Sequence, residues 1–150
     1  MGTEQPRSAQ QRKDDTLARL ENDDDAWVAT ADAEGNAYLV PLSFHWDGTT
    51  LTMATPESSP TGRNLTAAGR VRLGLGPTRD VIIIEGTVET FSRETVPAEL
   101  ADAFAAEHWD ARIGKTVYAF YRITPRLIQA WREENELKGR TLMRDGSWLV

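Results

Sequence analysis

The sequence contains no cysteine and only two histidines, His45 and His108. Without cysteine there is no disulfide, no thiolate nucleophile and no thiolate-bound metal. That usage fits a reducing, cytoplasmic setting. Two histidines so far apart give no zinc-binding spacing, and no Ser, His and Asp/Glu set suggests a hydrolytic triad. No apolar run approaches the roughly 20 residues of a membrane-spanning helix. The stretch from Met1 to Asp15 is polar throughout, unlike a secretory signal. Gly74-Leu75-Gly76 lacks the third glycine and the strand–helix setting of a dinucleotide fingerprint. There is no internal repeat.

What is present is enough chain for one well-buried core: 150 residues, 40% hydrophobic and 27% charged. The net charge of −6 argues against general nucleic-acid binding. Its distribution is uneven. Residues 1–36 carry a net −5, whereas residues 61–80 and 122–144 each carry +3. Two basic islands therefore sit in an acidic chain.

Residues 1–13 are polar and without apolar periodicity, so they are expected to be a disordered tail, with residues 14–150 forming a single domain. Leu17 and Leu20 predict a short amphipathic helix from Asp14 to Asn22. Asp23-Asp24-Asp25 then reads as a solvated turn, since adjacent carboxylates without an EF-hand frame make a poor cation site. Trp27–Ala31, Ala37–Trp46 and Thr50–Ala54 predict an antiparallel meander, closed at Asp47-Gly48 by a hairpin signal. Pro41 cannot donate to a ladder and marks an edge or irregularity. Val71–Leu75 and the β-branched Val81–Glu89 add two strands, with a bulge expected at Glu85-Gly86. Val96–Trp109 predicts a helix with Leu100, Phe104 and His108 on one face, which makes His108 a packed or rim residue. Val117–Ile123 is the sixth strand, interrupted by Thr124-Pro125 before Leu127–Trp131. The reading is a six- or seven-stranded antiparallel barrel, mainly β, with one main helix after the fifth strand.

Between the third and fourth strands lies Thr55-Pro-Glu-Ser-Ser-Pro-Thr-Gly-Arg-Asn-Leu65. A strand opening into a hydroxyl-rich turn and a short helix offers backbone N–H groups and a positive helix end. Ser58, Ser59 and Thr61 add hydroxyls and Arg63 a fixed cation, a set that suits a phosphate. An ordinary capped loop has the same residue types.

Taken in order, these pieces resemble the pyridoxamine 5′-phosphate oxidase-like proteins of the FMN-binding split-barrel superfamily. The resemblance covers about Leu17 to Trp131. It rests on Trp27-Val-Ala-Thr30 before Glu34-Gly-Asn36, on Val40-Pro-Leu-Ser-Phe44 with Trp46-Asp-Gly48, on Ser59, Asn64 and Leu65 at the spacing Ser-x-Lys-x-x-Asn-Leu, and on Glu85-Gly86. It implies a split β-barrel acting as a homodimer, with FMN or the deazaflavin F420 in a groove between subunits. Val40, Leu42 and Ser43 would then face the ring. Thr55, Ser59, Arg63 and Asn64 would approach the phosphate, and Trp131 would come from the partner. The family lysine is replaced by Thr61, so the phosphate loses a cation. Arg63, Arg79 or a partner's arginine would have to replace it.

A flavin carries the hydride itself, so no catalytic residue need be visible. The implied function is a flavin- or F420-dependent oxidoreductase acting on a small planar organic substrate. The alternative is a dimeric binding protein for a cofactor, haem or other small ligand without turnover, with His45 the candidate haem ligand. No metal, membrane or nucleic-acid partner is expected.

Overall fold

The computed structural model describes residues 4–150 and, within them, places six antiparallel strands in a closed barrel. The strands are β1 (Asp25–Ala31), β2 (Ala37–Trp46), β3 (Leu51–Pro56), β4 (Arg70–Leu75), β5 (Val81–Phe91) and β6 (Tyr118–Trp131). They pair in the order β3-β2-β1-β4-β5-β6, and β3 closes the ring on β6 from Leu51 opposite Ile123 to Pro56 opposite Tyr118. The interior is filled by alternate residues of every strand: Val28, Phe44, Leu51, Met53, Ile84, Tyr121 and Ile128 are inaccessible to solvent. Each such large side chain stabilises the fold by about 1.5–3 kcal/mol. A smaller cluster of Ala54, Ala101, Phe104, Ala111 and Phe120 seats α3 (Ala98–Glu107) outside the barrel.

The bulge falls where Glu85-Gly86 predicts it. Glu85 pairs with Leu127 and Gly86 with Pro125, so Arg126 is the extra residue. A Cβ on Gly86 would lie 2.7 Å from Ile123 Cγ2 and 2.8 Å from the Thr124 carbonyl, which reserves the position for glycine. The expected break at Thr124-Pro125 is instead absorbed here, and β6 runs on through the proline. Pro41 lies where β2 has one neighbour, because β2 meets β3 only over Phe44–Trp46.

Two elements differ from expectation, the N-terminal helix and the C-terminal segment. Helix α1 spans Ala9–Asn22, five residues longer at its start than the periodicity suggests, because Ser8 accepts a hydrogen bond from the Gln11 N–H and caps it. The expected tail through residue 13 thus includes a helical turn; residues 1–3 lie outside the described residues. Helix α2 (Pro60–Ala68) is the short helix expected after the hydroxyl-rich turn, capped by Ser59 and ended by Gly69 at φ 66°. The C-terminal segment is the second departure: it forms a hairpin on β6, with β7 (Thr141–Arg144) and β8 (Ser147–Trp148). Asp145 and Gly146 turn it with φ of 52° and 79°, the left-handed pair that an Asp-Gly turn supplies. No helix among the described residues is long and apolar enough to cross a membrane.

The N-terminal helix is fastened to the barrel by charge. Arg7 donates to both Glu136 oxygens (2.8 and 3.0 Å) and to Asp15 (2.9 Å), and the Arg132 N–H donates to Glu136 at 2.8 Å. Glu136 is only 3% exposed. The Arg7 hydrogen bonds outweigh its burial and hold its carboxyl down at about 2.

Candidate functional site

Helix α2 divides the loop residues between two sides. Asn64 donates its side-chain N–H to Thr30 Oγ1 at 3.1 Å, facing β1. Arg63 points the other way, into a shallow cavity of about 520 Å³ that it shares with Glu57, Ser58, Thr66, Thr90 and Ala119. The Ser59 hydroxyl is already used: it accepts from the Gly62 N–H at 3.0 Å and donates to the Pro56 carbonyl at 2.7 Å. Thr55 and Thr61 are buried. Gly62 is held close, since a Cβ there would meet the Pro56 oxygen at 2.5 Å and the Tyr121 hydroxyl at 2.9 Å. Tyr121 donates that hydroxyl to the Gly62 carbonyl at 3.3 Å, and burial pushes its phenol pKa up.

On β2, Val40 and Leu42 share a face and pack, half-buried, against the barrel core. Ser43 is on the opposite face and donates to Asp25 Oδ1 at 2.7 Å. Arg79 is engaged by Glu133 through two hydrogen bonds. Trp131 pairs with Val81 and carries the Arg140 guanidinium 5.4 Å from its ring centre. Arg79 and Trp131 therefore belong to the Val81 end of β5, about 17 Å along the strand from Gly86 and α2. Within the chain the ten sequence-derived residues form three groups, not one site.

An opening the sequence did not single out is a groove of about 560 Å³ across β1, β4 and β5, beside α2. Ala29, Thr30, Ala68, Arg70, Arg72 and Glu85 line it. Arg72 is paired with Glu85 at 2.9 Å, whereas Arg70 makes no ion pair among the described residues, and neither does Arg63. Next to the groove the outer face of the barrel is apolar: Leu39 is 60% and Trp27 53% exposed. Trp27 is aligned with Gly74, Gly74 with Ile83 and Ile83 with Gln129, so a tryptophan stands beside a bare stretch of backbone. Phe44, at the end of the same β2 run, is fully buried within the chain.

The donor set fits a phosphorylated flavin-type cofactor with one substitution. The small side chains Ala29 and Ala68 would leave room for a flat ring, and Arg63 or Arg70 is the cation that would have to stand in for the one Thr61 lacks. The hydroxyls named from sequence contribute less, because Ser59 is spent on the helix cap. The signal for Arg70 was its place in the basic island of residues 61–80; the groove itself needed the β1–β4 pairing and had no sequence signature.

A family model described as pyridoxamine 5′-phosphate oxidase matches residues 13–132. No curated protein matches the chain. Among solved structures, General Stress Protein 26 from Bacillus anthracis str. Sterne is 17% identical with a TM-score of 0.63, the match covering 81% of this chain and 96% of that one. HupZ of Group A Streptococcus is 22% identical with a TM-score of 0.62, covering 79% and 94%. An F420 reductase is 18% identical with a TM-score of 0.55, covering 74% and 93%. At these identities the likeness shows the fold. With the family model spanning most of its length and its barrel shared with these structures, the chain belongs to the pyridoxamine 5′-phosphate oxidase family, whose split-barrel fold binds flavin-type cofactors.

Proposed function

We propose that the protein is a homodimeric oxidoreductase that uses FMN or F420 to transfer a hydride to or from a small planar organic molecule. The observation that carries this reading is the groove across β1, β4 and β5, open beside an exposed apolar face and flanked by unpaired Arg70. Its size suits a ligand with a tricyclic ring. A bound flavin or deazaflavin would supply the hydride chemistry itself. The chain's own work is then to bind and orient: Val40 and Leu42 on one face of β2, or Ser43 on the other, near the ring, Arg63 or Arg70 toward the phosphate, and Trp131 from a second copy. The F420 reductase among the similar structures is one reason to keep the deazaflavin beside FMN. So are the basic islands, which suit an acidic cofactor tail.

Exposure supports the dimer. Trp27 and Leu39 leave an apolar surface that a second copy can cover through a two-fold interface, and such interfaces bury more than about 2,000 Å² in total. The test is direct. The absorbance spectrum of purified protein, before and after adding FMN or F420, should show the bound chromophore, and light scattering should give the dimer mass. A monomer with no spectral change at saturating cofactor would overturn both parts.

A second reading has its own support. Ser59 is committed to the cap and Thr61 stands where the family has lysine. Those losses favour a dimeric binding protein that holds a cofactor, haem or small ligand without turnover. Turnover of reduced cofactor by an electron acceptor separates the two, since only the enzyme reoxidises it faster than free solution.

A further inference from the structure

Two arginines stand at successive outward positions of β4, and the strand beside them answers only one. Val71, Leu73 and Leu75 are buried in the core, which turns Arg70 and Arg72 outward. Register then decides their neighbours on β5: Arg70 lies opposite Thr87, and Arg72 lies opposite Glu85. Arg72 Nη2 meets Glu85 Oε2 at 2.9 Å, whereas Arg70 has only a neutral residue across from it. We propose, resting on the reading of the groove as a cofactor site, that Glu85 is a specificity-determining residue. By cancelling Arg72 it fits the groove to a cofactor with one compact anionic group, FMN, and against F420 with its extended acidic tail.

The fold has little need of the pair. The Arg72 and Glu85 side chains are 60% and 43% exposed, and a cross-strand ion pair that open to water contributes at most about 1 kcal/mol. Its larger consequence is for the field over the groove, which both side chains line. The charged residues there are Arg70, Arg72, Asp32 and Glu85, two of each sign. Asp32 is occupied within its own turn, where its carboxylate accepts from the Glu34 and Asn36 N–H groups at 3.0 and 2.9 Å. Glu85 is the carboxylate that faces the arginines of β4.

Its place is fixed by the bulge. Glu85 is the last regular pair before the register shifts, opposite Leu127, and Gly86 follows it packed against Ile123 and the Thr124 carbonyl. A strand pinned there cannot slide the carboxylate away from Arg72. Arg70 and Arg72 are two residues apart, about 6.6 Å along the strand. That is inside the screening length of about 8 Å at physiological salt, so Glu85 also acts on an anion held by Arg70. Coulomb energy scales with the ligand's charge. Glu85 therefore opposes a neutral ligand not at all, a single phosphate slightly, and a phosphate with trailing carboxylates most.

The experiment titrates full-length wild type, Glu85→Gln, Arg72→Gln and the double variant with riboflavin, FMN and F420 by fluorescence quenching. At low salt Glu85→Gln should leave riboflavin unchanged, tighten FMN by about twofold and tighten F420 by about fivefold. At about 1 M salt, where the screening length is about 3 Å, both gains should disappear. Arg72→Gln should shift the affinities the other way in the same order, and the double variant should return close to wild type. A merely structural pair would instead weaken all three ligands in both single variants. Such uniform weakening, or a gain for F420 no larger than that for FMN, overturns the proposal while leaving the cofactor reading in place. No binding of any of the three at about 1 mM, by wild type or variant, overturns both.

Discussion

Two arginine-bearing regions of this barrel handle their charge in opposite ways. At the N-terminal clamp three arginines are answered by carboxylates: Arg7 by Glu136 and Asp15, Arg19 by Asp23 and Asp80, Arg132 by Asp80. The cavity between them, about 340 Å³, is lined by both signs and has no net call on an anion. On either side of α2, Arg63 and Arg70 project with no carboxylate partner among the described residues. Paired, buried charge fixes where α1 and the C-terminal segment sit. Unpaired, exposed charge contributes little to stability and is available to a ligand. Substitutions in the first region should therefore act on folding, and those in the second on binding.

The largest effect belongs to the clamp. Glu136→Ala takes from the Arg7 guanidinium, whose side chain is only 10% exposed, its main carboxylate partner and leaves it Asp15, and should destabilise the fold by about 3 kcal/mol. The urea midpoint reads this. If the midpoint barely moves, the clamp is not a structural device and the contrast fails.

The same carboxyl predicts a pH dependence. Its folded value of about 2 lies below the ordinary glutamate value of 4.5, so its contribution is complete above about 4.5 and is lost as pH falls toward 2. On the order of 3 kcal/mol should disappear across that window. In Glu136→Gln the acid limb of the stability curve should flatten by a comparable amount.

Next comes the bulge that borders the groove. Gly86→Ala must displace Ile123 or the Thr124 backbone and should cost about 1–3 kcal/mol, read by thermal denaturation. Smallest for stability are Arg63→Ala and Arg70→Ala, each expected within about 0.5 kcal/mol of wild type. A larger loss in either would move that arginine into the structural class.

Most of the barrel was legible because its cause is local. Alternation in β1, the β-branched run of β5 and the Glu85-Gly86 bulge act over a few residues, and each sits where the pattern puts it. The Asp145-Gly146 turn was equally local, yet it lies in a charged tail whose strands are four and two residues long, too short for a period to register. Helix α1 begins early because a serine cap and the clamp to Glu136 outweigh a polar sequence with little amphipathic signal. The site was less legible. Pattern matching named Ser59 and Asn64 but not that a hydroxyl is consumed by its own helix cap, or that Arg63 and Asn64 diverge across α2. The groove and the Arg72–Glu85 pair that lines it arise from strand pairing, which no linear spacing encodes.

The central claim is that the unpaired arginines beside α2 hold the phosphate of a flavin-type cofactor. Fluorescence-quenching titrations of wild type, Arg63→Ala, Arg70→Ala and the double variant test it, with FMN, F420 and riboflavin as ligands. At least one single variant should bind the phosphorylated cofactor more weakly by about 1.5–3 kcal/mol, the range for hydrogen bonds to charged groups. The penalty should nearly vanish for riboflavin, which shares the ring and lacks the phosphate. Equal weakening of phosphorylated and unphosphorylated ligands, or none even in the double variant, would contradict the account.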